Sequence, residues 1–303
     1  MIKHYYNRKI FFLMSIFLLT ANLYAGAWTQ KKNGYYLRIY STYLFADQEF
    51  NYQGESQELY EEQLAYRDNY FKDIGLVIYS EYGLTDNFTF VGELPFKSLT
   101  TKRTVASFYG GDEIATTSGF ADLGLYGKLA ILNNPLALAV RAGARIPLGY
   151  SEEPSNNGPR LGTAEISYEG HIHIGSSFYP LPIYFAGSVG YRHRSGELND
   201  EVIITGEIGY TLGPIFLKTY VEALRNVTTP PDIYGQPIVT PLPGGGGVLP
   251  DIIIGDQHLT KVIPSITVSI SGTLGLQFEI IEPLNGRNAL NGTTYSLGLV
   301  LHN

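Results

Sequence analysis

The sequence predicts an all-β chain, a transmembrane antiparallel up-and-down β-barrel of about twelve strands preceded by a cleaved signal peptide. Three observations predict it. The first residues carry export chemistry, the rest of the chain alternates apolar and polar residues with period two, and its connectors alternate between long and short.

Residues 1–27 read as the signal peptide, which leaves 28–303 as the barrel. Lys3, His4, Arg8 and Lys9 form a basic start, and Ile10 to Thr20 (IFFLMSIFLLT) form an apolar run. That run, at about 11 residues, is too short for a spanning helix, which needs about 20. Ala25-Gly26-Ala27 then supplies small residues at the cleavage positions. Cleavage is expected after Ala27, or after Ala25 if Leu23 is tolerated upstream.

Beyond this segment the candidate strands run 34–45, 70–82, 88–97, 120–132, 136–148, 164–178, 183–194, 200–211, 215–225, 258–270, 274–282 and 292–302. The clearest is LALAVRAGARIPL. Leu136, Leu138, Val140, Ala142, Ala144, Ile146 and Leu148 fall on one face, with Ala137, Ala139, Arg141, Gly143 and Arg145 on the other. In 164–178, Ile166, Tyr168, Ile172, Ile174 and Phe178 oppose Glu165, Ser167, Glu169, His171, His173 and Ser177. In 120–132, Leu123, Leu125, Leu129 and Ile131 oppose Asp122, Tyr126 and Lys128, and in 200–211, Val202, Ile204, Ile208 and Tyr210 oppose Glu201, Thr205 and Glu207.

A soluble sandwich also alternates, so the membrane reading rests on other features. Long connectors (46–69, 98–119, 149–163, 195–199, 226–257, 283–291) take turns with short ones (83–87, 133–135, 179–182, 212–214, 271–273), the pattern of long outer loops and short inner turns. Many runs exceed the usual strand of about 5–6 residues and suit a tilted membrane strand of about 9–11. Tyr and Phe recur at strand ends, as interfacial girdles require. Segment 226–257 is rich in Pro and Gly, which keeps it out of a ladder. Its Ile233, Ile238, Val239, Leu242 and Leu249 are expected either to pack over the barrel mouth or to belong to a mobile loop.

Several short stretches carry a resemblance: Gly26-Ala27-Trp28-Thr29-Gln30 with Gly34-Tyr35-Tyr36, the hairpin Ser80 to Asn87, the strand Ala121 to Lys128, Ala142 to Gly149, and Leu284 to Arg287 and Asn288. Together they resemble the outer-membrane transporter barrels related to the MetA-pathway phenol-degradation proteins and, more distantly, FadL-type channels. The resemblance implies an outer-membrane location and uptake of small, apolar or aromatic, organic compounds. Such barrels often end on an aromatic, whereas this chain ends Leu299-Val300-Leu301-His302-Asn303. Tyr295, Leu297, Leu299 and Leu301 keep the alternation, so outer-membrane lipid and the barrel-assembly machinery are the expected partners.

If the apolar stripes meet lipid, the polar stripes line the lumen. That places Arg38, Glu81, Glu93, Lys97, Asp122, Lys128, Arg141, Arg145, Glu165, Glu169, His171, His173, Arg192, Arg194, Glu207, Lys218, Glu222 and Glu279 inside. Both signs occur in similar numbers, whereas a strongly selective pore carries rings of one sign. A salt-bridged, narrow channel is expected, or else a polar ladder for one solute. His171 and His173 lie two apart on one strand face beside Glu165 and Glu169, but no third ligand is assignable across strands, so no metal and no cofactor are expected. No GxSxG, HExxH, Walker or dinucleotide motif occurs. No enzyme is expected, and a hydrolase built on His171, His173 or His193 is the remotest reading. A non-conducting scaffold or adhesin barrel is the nearer alternative to a channel.

Composition bounds the rest. Charged residues are 16% of the chain, against about 25% in soluble domains, while 44% are hydrophobic. The net charge is −7, and removing Lys3, Arg8 and Lys9 makes it more negative, which excludes the basic footprint that nucleic acid needs. With no cysteine, disulfides, thiolate metal sites and an acylated lipoprotein terminus are excluded.

Overall fold

The computed structural model describes residues 26–59, 66–105, 110–151, 154, 158–196, 198–227 and 257–303. Its described strands are β1 (Tyr35–Ala46), β2 (Gln48–Phe50), β3 (Ser56–Glu58), β4 (Tyr66–Thr85), β5 (Phe88–Val105), β6 (Asp112–Phe120), β7 (Asp122–Leu132), β8 (Leu136–Pro147), β9 (Ser167–Ser177), β10 (Ile183–Arg194), β11 (Glu201–Leu212), β12 (Ile215–Asn226), β13 (His258–Ser269), β14 (Leu274–Arg287), β15 (Ala289–Asn291) and β16 (Thr294–His302).

Twelve of these form a closed antiparallel barrel in the order β1, β4, β5, β7, β8, β9, β10, β11, β12, β13, β14, β16. The ring closes where β1 pairs with β16, from Tyr36 opposite His302 to Leu44 opposite Thr294. Closure removes the free edges that a sheet cannot leave unpaired in lipid. It also explains why the alternation is legible over so many segments, since each strand has one face in hydrocarbon and one in the lumen.

The register aligns those faces across strands. Leu129, Val140, Ile172, Val189 and Ile204 are successive cross-strand partners on β7 to β11. All face outward, with exposures of 46, 39, 59, 57 and 48% before lipid covers them. One residue further along, the same strands turn polar side chains inward. A cation on the outer row would sit in hydrocarbon, so Ile172→Arg is expected to cost about 2–4 kcal/mol of folding stability. Urea unfolding in liposomes checks this, and a cost under about 0.5 kcal/mol would place Ile172 outside the hydrocarbon.

The long connector expected at 98–119 is instead mostly strand. β5 continues to Val105 and pairs with β6, from Phe96 opposite Phe120 to Thr104 opposite Asp112. β6 and β7 are nearly one strand, broken at Ala121, whose N–H donates to Pro95 O at 2.9 Å. β4 has 20 residues where a membrane strand needs about 9–11, so β4, β5 and β6 rise as a ribbon beyond the long-loop end. Connectors 46–69 and 283–291 are also part ladder, because β2 pairs with both β3 and β15 in a small separate sheet. Strand 164–178 starts later than expected, at Ser167, so Glu165 lies in the connector before it. The expectations for the signal peptide and for most of 226–257 fall on residues outside those described.

Candidate functional site: the lumen and its occlusion

Inside the barrel, charges are arranged as cross-strand pairs. Arg38 on β1 meets Glu279 on β14 at 2.5 Å and also donates to Ser296 Oγ. Lys97 meets Asp73 at 3.0 Å, Lys218 meets Glu207 at 3.6 Å and Lys261 meets Glu222 at 2.8 Å. Lys128 meets Glu81 at 3.1 Å, and Glu81 also accepts from Gln30 Nε2 and Tyr79 OH.

The densest cluster centres on Glu169 of β9, whose side chain is 2% exposed. Arg145 on β8 reaches it at 2.9 Å, Arg192 on β10 at 2.6 Å and Arg141 on β8 at 3.8 Å. Arg145 is also 3.6 Å from Glu93, and Arg192 is 2.6 Å from Glu201, which Arg194 meets at 3.0 Å. His171 Nε2 lies 3.4 Å from Glu169, and the His171 ring stacks on His173 with centroids 5.7 Å apart. His193 faces Asp200 at 3.0 Å, so His171 and His193 each lie against a carboxylate. Glu165 accepts from Ser195 Oγ in the connector region.

Tyrosines complete the network. Tyr184 OH donates to Glu207 at 2.6 Å, Tyr220 OH to Glu222 at 3.1 Å, and Arg38 stacks over Tyr40. Sequence reasoning assigned aromatics to the girdles and left Tyr40, Tyr79, Tyr184 and Tyr220 off the inner wall. It likewise omitted Asp73, Glu201 and Lys261 from the site, although strand parity marks all of them.

Two segments enter the lumen from opposite ends. At the short-turn end, residues 26–34 fold inward before β1. Asn33 N–H donates to Gly83 O at 2.8 Å and Lys32 N–H to the Asp86 carboxylate at 3.0 Å. Gln30 N–H donates to Thr89 Oγ1 at 2.8 Å. The chain then crosses from the β4–β5 wall to the β9–β10 wall. There Trp28 lies on Gly175 and meets Tyr184 edge-on, with centroids 6.0 Å apart. A Cβ at residue 175 would fall 2.6 Å from the indole, so only glycine lets the ring approach the wall. Ala27 is 1% exposed, and Gly26 lies near His173.

At the long-loop end, the connector after β8 turns inward. Leu161 packs with Leu99 and Ala121, flanked by Phe71 and Tyr150. The Tyr150 hydroxyl donates to Asp122 and accepts from Ala164 N–H at 2.9 Å. Burial, together with the bond to Asp122, pushes the Tyr150 phenol well above its usual range.

Between these segments lies a cavity of about 500 Å³. Gly26 and Ala27 line it on one side and Thr163 on another, with Arg141, Arg145, Glu169 and Arg192 on the β8–β10 wall and Ile203 and Leu224 on β11 and β12.

No family profile matches the chain, and no curated protein matches it in sequence. Solved structures do. The COG4313 outer membrane channel from Pseudomonas putida F1 superposes with a TM-score of 0.65 at 13% identity, over 92% of this chain and 98% of that one. Looser likenesses, both with TM-scores of 0.47, are the CymD monoaromatic hydrocarbon channel (8% identity, 89% of this chain and 88% of that one) and the Ralstonia pickettii toluene transporter TbuX (7% identity, 90% of each chain). What the first likeness and the closed ring establish is the fold: this chain is a closed antiparallel transmembrane β-barrel of twelve strands.

Proposed function

We propose that this barrel is a passive outer-membrane conduit for small organic molecules. One observation carries the reading. The lumen is not filled by side chains alone, because a cavity of about 500 Å³ lies between the two inserted segments, with polar and apolar walls. That volume is within the range of small-molecule sites, roughly 300–1,000 Å³. A side-chain-filled barrel built only for anchorage has no need of such a space. The closed ion pairs around it favour a narrow path over an open pore. Relationship to the phenol-degradation transporters, and a preference for aromatic solutes, belong to this proposal. So do insertion by the barrel-assembly machinery and the absence of catalytic turnover.

Proteoliposomes test it. Purified barrel reconstituted in phosphatidylcholine vesicles is expected to raise their swelling rate in arabinose above that of empty vesicles. No swelling by a barrel that still migrates as the folded form in unheated SDS would make it a scaffold.

Export by cleavage of residues 1–25 is part of the same proposal. Gly26 and Ala27 stood within the signal in the first of the two cleavage readings. The burial of Ala27, with Gly26 on the cavity wall, favours the second, after Ala25. The intact mass of the outer-membrane form is expected to correspond to a Gly26 start. A Trp28 start would take Ala27 out of the lumen and contradict the assignment.

A further inference from the structure

The ladder register produces an arrangement in the cavity that pairing of charges does not use up. Lys128, Arg141, His171, Gly190, Ile203 and Leu224 are successive cross-strand partners on β7, β8, β9, β10, β11 and β12. Opposed residues have Cβ atoms about 4.5–5.5 Å apart, so these six form one inward row. Its first half carries the two cations Lys128 and Arg141 with the His171 imidazole, and its second half is apolar. Gly190 divides them, and the His171 ring lies against its backbone: a Cβ there would fall 2.2 Å from His171 Nδ1. Arg141, His171, Ile203 and Leu224 all line the cavity.

Arg141 is the least neutralised guanidinium of the Glu169 cluster. Its contact with Glu169 is 3.8 Å, while Arg145 and Arg192 hold the same carboxylate at 2.9 and 2.6 Å. Its Nε has no hydrogen-bond partner, and its planar group is held 4.8 Å over the Tyr126 ring. One carboxylate shared by three guanidiniums leaves donor capacity on this wall. Ile203, at 5% exposed, and Leu224 are aliphatic side chains turned toward a polar lumen, where they gain nothing from lipid.

We propose that the cavity is a binding subsite for a small organic carboxylate with an apolar body. The carboxylate pairs with the guanidinium of Arg141, and the body lies on Ile203 and Leu224 across Gly190. A neutral molecule of the same shape forfeits the charge-assisted hydrogen bonds, and an organic cation meets Arg141, Arg145 and Arg192. The subsite deepens the conduit reading and rests on it for access to the lumen.

Calorimetric titration of the purified barrel in neutral detergent against matched micelles tests it, with benzoate, benzyl alcohol and benzylammonium as probes. Benzoate is expected to bind at least about tenfold more tightly than benzyl alcohol, the scale of one hydrogen-bonded charge. Arg141→Gln should remove that preference, and Arg141→Lys should retain part of it. Leu224→Gln should weaken both ligands alike. Equal benzoate affinity in the parent and Arg141→Gln would overturn the subsite. A folded barrel that swells vesicles in arabinose but binds no benzoate would overturn the subsite and leave the conduit standing. Benzoate binding with the expected dependence on Arg141, in a barrel that passes no arabinose, would uphold the subsite and overturn the conduit.

Discussion

Glu169→Gln is expected to lower the stability of the barrel by about 3–5 kcal/mol, the scale of breaking a buried ion pair from one side. The side chain is almost fully enclosed, and three guanidiniums converge on it from both neighbouring strands. Glutamine keeps the shape and an acceptor oxygen but removes the charge. Arg192 retains Glu201, and Arg145 retains Glu93 at a longer distance. Arg141 loses its only close carboxylate among the described residues. Urea unfolding in liposomes reads the loss directly. Adding Arg141→Met to Glu169→Gln should recover part of it, because one uncompensated cation goes with the carboxylate. Purely additive losses would show that the two side chains are not coupled. A single variant within about 0.5 kcal/mol of the parent would mean that water already screens this cluster.

The second large effect is on passage. Replacing Trp28 and Gln30 together by alanine is expected to raise single-channel conductance several-fold while leaving the barrel folded. No ladder bond is lost, because residues 26–34 precede β1. What is lost is the indole contact with Gly175 and Tyr184 and the hydrogen bond that the Gln30 side-chain amide donates to Glu81, which hold the segment across the lumen. Planar-bilayer recording checks it. Unchanged conductance would show that the path does not run past this segment.

Most of the ring was legible because lipid enforces it. A strand with one face in hydrocarbon must alternate, so Leu129, Val140, Ile172 and Ile204 could be assigned to one side from the sequence. Where lipid stops, that signal stops. Thr100, Thr101, Lys102, Arg103 and Thr104 form strand in the ribbon but present no apolar face, and the stretch reads as loop. β2, β3 and β15 are three residues each, too short for a period to declare itself.

The site was legible in part, and for the same reason. Strand parity marks which residues turn inward, so Glu169, Arg141, Arg145 and Arg192 could be grouped on polar faces. Parity does not fix register, and register is what brings three arginines to one carboxylate or sets Ile203 beside Leu224. The fold of residues 26–30 into the lumen follows from tertiary fit, above all the missing side chain at Gly175, and local sequence has no signature for that.

The claim that the lumen is a path for solute can be tested by chemical access, helped by a chain that contains no cysteine. Thr205 lines the cavity, and its neighbour Ile204 faces lipid. With the barrel in liposomes, Thr205→Cys is expected to react with a membrane-impermeant charged methanethiosulfonate added on either side, and the swelling rate in arabinose should fall as the label accumulates. Ile204→Cys should stay unreactive. A Thr205→Cys barrel that is folded yet resists the reagent from both sides, or that is labelled fully with no change in swelling, would contradict the conduit.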